Sequence, residues 1–176
     1  MSRRVESGLN DMNGVWNSGF DPVIDEKSEV LILGSFPSVK SREIGFYYGN
    51  PQNRFWKTLE KALRDDVPDD TVGKTAYLLR HKVALWDVFS QAKIKGSSDA
   101  DITAVTGRKA DVVKLLNAHP SIKTVIFNGK KAFATAAETV KGLAEIKLFT
   151  STSPANPRFD EKQWVTSLRE ILKIKE

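Results

Sequence analysis

The stretch Val30-Leu31-Ile32-Leu33-Gly34-Ser35-Phe36-Pro37-Ser38 decides how this chain is read. Its first four residues form an unbroken apolar run, as in strands buried on both faces, and the glycine, serines and proline that follow end the strand in a turn. Short apolar runs at residues 83–88, 124–127 and 146–149 have the same character, the one at 124–127 most clearly. The segments between them read as helices. Asn50 is placed as an N-cap, with Pro51 at the first helical position and Phe55, Leu59, Ala62 and Leu63 as the apolar stripe. Val112, Leu115 and Leu116 mark another helix, stopped by His119-Pro120. Gly129 opens a third, with Phe133, Ala136, Ala137 and Val140 inward. Asp160 starts the last, with Gln163 in capping-box position and Trp164, Leu168, Ile171 and Leu172 as its stripe. Strands alternating with helices predict an α/β fold with a parallel sheet and right-handed crossovers.

Ligands of such sheets bind beyond the carboxyl ends of the strands. All of the expected strands end in polar or glycine-rich sequence: Gly34-Ser35-Phe36-Pro37-Ser38, Trp86-Asp87, Asn128-Gly129-Lys130, and Ser151-Thr152-Ser153-Pro154-Ala155-Asn156. The first of these leads into Gly45-Phe46-Tyr47-Tyr48-Gly49-Asn50-Pro51-Gln52-Asn53-Arg54-Phe55-Trp56. Rings, amides and an arginine in one turn suit gripping a flat polar ligand, such as a nucleobase, better than they suit a core.

The 176 residues fit one domain, expected over residues 21–176, behind a tail of residues 1–20 that is rich in Ser, Asn and Gly, with Trp16 and Phe20 pinning its end to the body. The net charge is +5 and the pI about 9.4, compatible with a polyanionic partner. The location of the cations says more: Lys40, Arg42, Arg54, Lys57, Lys93, Lys95, Lys130, Lys131, Arg158 and Lys162 all follow expected strands. There are no cysteines, which excludes disulfides, iron–sulfur clusters and thiol catalysis. No apolar run reaches the roughly 20 residues of a bilayer span, and Met1-Ser2-Arg3-Arg4 does not open a signal peptide. Neither export nor membrane attachment is expected, and the expected location is the cytoplasm, at the nucleoid in a bacterium.

His81 and His119 have no metal-ligand spacing, so no metal site and no cofactor is expected. A phosphate-cradling Gly-x-x-x-x-Gly-Lys loop, a dinucleotide fingerprint and a Gly-x-Ser-x-Gly elbow are absent from the sequence. Amides, hydroxyls, aromatics and one central carboxylate remain. Asn53 can orient a water molecule or merely brace its loop. Asp87 can accept a hydrogen bond from a ring N–H or serve as a turn residue.

Taken together and in order, these segments resemble the uracil-DNA glycosylase superfamily, and within it the DNA-deoxyinosine (hypoxanthine-DNA) glycosylase branch. The resemblance rests on residues 30–38, Lys40-Ser41-Arg42, residues 45–56, residues 83–88, Phe127-Asn128-Gly129-Lys130-Lys131-Ala132 and residues 151–156, and runs from about Phe20 to the C-terminus. It implies a three-layer α/β/α sandwich around a four-stranded parallel sheet. One departure stands out. Mismatch-specific uracil glycosylases place a water-orienting Asn in their first motif, where this chain has Phe36. The resemblance therefore implies weak uracil excision and transfers the water-orienting role to Asn53.

It further implies that Tyr48 stacks on the flipped base, with Phe36 as the other wall, and that Asp87 and Asn128 read the base edge. Ser35, Ser38, Lys40, Lys130, Ser151, Thr152, Ser153, Asn156 and Arg158 are then the DNA-binding candidates, with Arg158 and Phe159 placed to fill the vacated stack. The expected activity is monofunctional excision of deaminated bases, chiefly hypoxanthine, from DNA by a monomer. No lysine is placed as a Schiff-base nucleophile, so no strand cleavage is expected. Asp87 remains an alternative water activator. A broader uracil/xanthine glycosylase and a non-catalytic nucleic-acid-binding module are the competing readings.

Overall fold

Successive side chains of a strand point to opposite faces, so an apolar run needs apolar cover on both sides. The computed structural model, which describes residues 15–175, provides that cover. Strands β2 (Val30–Gly34), β3 (Val83–Asp87), β6 (Thr124–Asn128) and β7 (Glu145–Phe149) form a parallel sheet in the order β3-β2-β6-β7. On β2, Val30 and Ile32 enter one apolar cluster and Leu31 and Leu33 the other. The first cluster is closed by helices α2 (Phe55–Leu63), α3 (Thr71–Arg80) and α6 (Glu161–Ile171). The second is closed by α4 (Val112–Ala118) and α5 (Lys130–Val140). Truncating a side chain as fully buried as Leu31 or Ile32 to alanine costs about 2–5 kcal/mol. The α/β/α sandwich and its four parallel strands are those expected. Among the described residues, no helix is long and apolar enough to cross a membrane.

A second, antiparallel sheet was not foreseen: β1 (Asn17–Ser18), β4 (Phe89–Ala92) and β5 (Gly107–Lys109), in the order β1-β4-β5. It forms because the chain leaves β3 and continues, after Val88, as a strand of this second sheet. Residues 15–20 are therefore laid against the body: the Phe20 carbonyl accepts from Trp86 Nε1, and the Phe20 ring meets Tyr47 edge-on. Residues 1–14 of the expected tail lie outside the described residues.

The helix starts differ from expectation in two places. Asn50 does not cap a helix. Its Oδ1 accepts from the Gln52 N–H and its carbonyl from the Asn53 N–H, so residues 50–53 form a turn, and α2 begins only at Phe55. Asp160 does cap α6, accepting from the Gln163 N–H. Gln163 does not complete a capping box, because its Oε1 accepts from the Thr150 N–H while Asp160 N–H donates to Thr150 Oγ1. The aromatic turn is also less free of the core than its composition implies. Phe46, Tyr47 and Phe55 are buried, and Trp56 Nε1 donates to the Tyr47 carbonyl.

Candidate active site

Register puts the site together. Gly34 pairs with Asp87 across β2 and β3, and Asn128 with Phe149 across β6 and β7, so the carboxyl ends of all four parallel strands meet on one edge. Over that edge lies a cavity of about 670 Å³, in the size range of small-molecule sites. Ser35, Phe36, Ser38, Tyr48, Asn53, Asp87, Asn128, Ser151, Thr152, Ser153 and Asn156 all line it. Lys40, Lys130 and Arg158 do not. The absence of a side chain at Gly34 is required: a methyl there would lie 2.6 Å from Asp87 Oδ1 and 3.0 Å from the Tyr48 hydroxyl.

Asp87 is 5% exposed, and its sealed Oδ2 has no hydrogen-bond partner among the described residues. Burial, and secondarily the charge of Asp99, pushes its carboxyl up to about 7. A buried carboxyl that lines the cavity, with no ion pair among the described residues, can meet a donor brought by a ligand.

Tyr48 has φ = 52°, a left-handed conformation uncommon for an aromatic residue. This lets two consecutive tyrosines serve different ends. Tyr47 goes into the core, its hydroxyl donating to the Asp21 carbonyl, while Tyr48 stacks on Phe55 with ring centroids 3.9 Å apart and remains half-buried at the cavity. Burial pushes the Tyr48 phenol well above its ordinary range, with the Asp87 charge adding to the effect, so the ring stays neutral.

Asn128 is hydrogen-bonded to two neighbours within the site. Its Nδ2 donates to the Tyr48 hydroxyl (3.1 Å) and to Thr152 Oγ1 (3.0 Å), and its Oδ1 accepts from the Thr152 N–H (3.0 Å). Both N–H bonds of the amide are spent within the protein, so Asn128 orients Tyr48 and the fourth loop and is left without a donor for a base. Thr152 is fully buried, and its hydroxyl oxygen accepts from Asn128 Nδ2.

Asn53 sits two residues ahead of α2, with Oδ1 accepting from the Phe55 N–H at 2.9 Å. That bond fixes which end of the amide is which, since a backbone N–H needs the oxygen. It leaves Nδ2, on a cavity-lining residue, without a protein acceptor among the described residues. Bracing the loop and holding a ligand are thus compatible roles for one side chain.

Other candidate DNA contacts divide. The Ser35 hydroxyl donates to Asp99 Oδ1, and Ser38 caps the helix α1 (Val39–Ile44), so both hydroxyls are engaged within the protein. Ser151 Oγ and Ser153 Oγ accept from backbone N–H groups of their own loop, which leaves their O–H bonds to donate outward. Asn156 is a brace, its Nδ2 donating to the Ser151 carbonyl and its Oδ1 accepting from the Arg158 N–H. Lys130 and Arg158 are exposed, and Lys40 is exposed beside Glu43 at 3.6 Å. Phe159 is partly buried against the core, with the Arg54 guanidinium 4.5 Å from its ring centroid.

Two site elements were missed in the sequence. Ser97, Ser98 and Asp99 form a cavity wall contributed by the crossing between the antiparallel strands. Arg54 donates through Nη2 to the Ser153 and Asn156 carbonyls and so fixes the fourth loop. The Ser-Ser-Asp run carries no signal that would have placed it. Arg54 carried only its charge.

Residues 22–172 match the family model described as the Uracil DNA glycosylase superfamily. The chain belongs to the uracil DNA glycosylase superfamily. Two relatives are each named hypoxanthine DNA glycosylase. One, from Methanosarcina acetivorans, is 35% identical over 161 residues, covering 86% of this chain and 97% of the relative. The other, from Methanosarcina barkeri, is 37% identical over 142 residues, covering 80% and 88%. The fold resembles the solution NMR structure of a candidate uracil DNA glycosylase from Methanosarcina acetivorans, with a TM-score of 0.77 and 34% identity over 89% of this chain and 99% of that one. Within this superfamily member, Trp16 and strand β1 precede the matched segment.

Proposed function

We propose that this protein is a monofunctional DNA glycosylase that excises deaminated bases, principally hypoxanthine from deoxyinosine, by flipping the nucleotide into the cavity and directing water to its C1′ carbon. Asp87 carries the reading. A buried carboxyl without an ion pair among the described residues, lining a cavity that an aromatic ring also lines, matches a flat ligand with an N–H on its edge. Hypoxanthine differs from adenine by presenting such an N–H at N1, and its arrival favours the ionised acid. The names of the two Methanosarcina relatives support the same lesion.

In this mechanism the lesion leaves the stack, which a mispaired base does at lower cost. Tyr48, backed by Phe55 and held by Asn128, stacks on it, and Phe36 faces it from the other side. Asp87 accepts from N1–H. The C1′–N9 bond lengthens toward an oxocarbenium-like sugar while the purine takes the electron pair, helped by hydrogen bonds to its edge. The Nδ2 group of Asn53 holds the water that adds to C1′, and the proton this water loses ends on the departing purine. The hydroxyls of Ser151 and Ser153, with Lys40, Lys130 and Arg158, hold phosphates. The protein acts as a monomer in the cytoplasm.

The test is Asn53→Ala. Release of hypoxanthine should fall by about 100-fold or more while DNA binding is kept. Near-normal turnover would instead make Asp87 the water activator. Uracil and xanthine also carry N–H groups that Asp87 could accept, and a panel of duplexes bearing one deaminated base each separates the narrow activity from the broad one.

A further inference from the structure

Strand parity on the small antiparallel sheet sorts its side chains onto two faces. Ala92 and Ile94 are buried inward, so Gln91, Lys93 and Lys95 alternate outward. Register adds Ser18 and Arg108, which lie opposite Gln91 on either side, and Trp16 precedes inward-pairing Asn17. The outer face therefore gathers Trp16, Ser18, Gln91, Lys93, Lys95 and Arg108, with no acid among them. Among the described residues, the cations are held in place without being neutralised. Arg108 Cζ lies 4.2 Å from the Trp16 ring centroid and Lys93 Nζ lies 5.9 Å from it, while Arg108 Nη1 donates to Gln91 Oε1 at 2.7 Å. None of Lys93, Lys95 and Arg108 forms an ion pair among the described residues.

The face also lies close to the site. Ser97, which lines the cavity, is only four residues past Lys93, and an extended chain covers at most about 14 Å in that interval. One turn of duplex spans about 34 Å. The inner side of the same sheet leads to the cavity as well, since a methyl on Gly19 would lie 3.5 Å from the Phe36 ring.

We propose that this outer face is a second DNA contact, in which Lys93, Lys95 and Arg108 engage the phosphates of the duplex within one turn of the flipped nucleotide and Trp16 serves as the platform that fixes Arg108 and Lys93. It rests on DNA being the substrate. The partner is a phosphate backbone and not a base, because three cations with a Trp already covered by a guanidinium offer charge and no pocket. Trp16 and β1 stand ahead of the segment that matches the superfamily, whereas Lys93, Lys95 and Arg108 lie within it.

The experiment is the salt dependence of binding to an undamaged duplex, measured by fluorescence anisotropy on the full chain between 50 and 200 mM salt. Each phosphate contact contributes about 0.9 to the slope of log affinity against log salt. The variant Lys93→Ala/Lys95→Ala/Arg108→Ala should lose about 2.7 from the slope, so that wild-type affinity falls about 40-fold more than the variant's across that range. Single-turnover base release at saturating enzyme should not change. Lys95→Glu, at an exposed position outside the strands, should act in the same direction without disturbing Trp16. An unchanged slope in both folded variants overturns the proposal, as does a triple variant that loses the chemical step at saturation. Because the duplex is undamaged, a wild-type slope that depends on these residues upholds the contact even if the protein excises no base.

Discussion

Replacing Asp87 by Asn should stabilise the protein at alkaline pH while impairing its chemistry. The Asp87 carboxyl moves from an ordinary 3.8 to about 7 in the folded protein, chiefly by burial. The folded state then binds the proton more tightly than the unfolded chain does. Stability from this group is fully present below pH 4 and is lost as pH rises to about 7. At about 1.36 kcal/mol per pH unit, the interval corresponds to about 4 kcal/mol. An asparagine has no such dependence, although its buried amide, lacking partners, costs about 1–3 kcal/mol at every pH. The variant should therefore match or fall below wild type at pH 4 and exceed it by about 1–3 kcal/mol at pH 8. Asp65, held below the usual carboxylate range by Arg80 and then His81, titrates with the opposite sign, but it does so in both proteins and cancels in their difference. Urea unfolding from pH 4 to 8 measures this difference. Base release should fall in the same variant, since the amide cannot replace an anionic acceptor for N1–H, giving a gain in stability with a loss of function. Parallel stability profiles would refute the claim that Asp87 is buried without a compensating partner.

Gly34→Ala places a methyl 2.6 Å from Asp87 Oδ1. Overpacking of this kind costs about 1–3 kcal/mol, and thermal unfolding together with a single-turnover assay should show a lower Tm and slow release. Normal release would mean that Asp87 has room to move without consequence. Asn128→Ala strands the buried Thr152 N–H and should cost about 1–3 kcal/mol, while Asn128→Asp keeps that acceptor and should cost less in urea unfolding; equal losses would show that the Thr152 bond is not what Asn128 supplies.

The layers were legible in the sequence because they depend on local pattern. Val30 to Leu33 cannot be a half-solvated strand, and the helical stripes of α2, α5 and α6 repeat at the right interval. The sheet edge carrying the site followed from where the polar residues fell after each strand. What stayed illegible depends on contacts far apart in sequence. The bonds of Asn128 to Tyr48 and Thr152 were hidden because they span 80 and 24 residues. Thr152 resembled its neighbours Ser151 and Ser153, and only the fold distinguishes a buried hydroxyl from an accessible one. Asn50-Pro51 imitates a helix start, yet the turn closes on Asn53 first. The small sheet escaped notice because β1 is two residues long and β5 three, too short for any alternation to register.

The most direct measurement is single-turnover base release from a duplex bearing one deoxyinosine, with protein in excess and a chelator present. The account predicts free hypoxanthine and an intact sugar–phosphate strand carrying an abasic site. Tight binding of the same duplex with no hypoxanthine released would contradict it and leave a nucleic-acid-binding module in place of an enzyme.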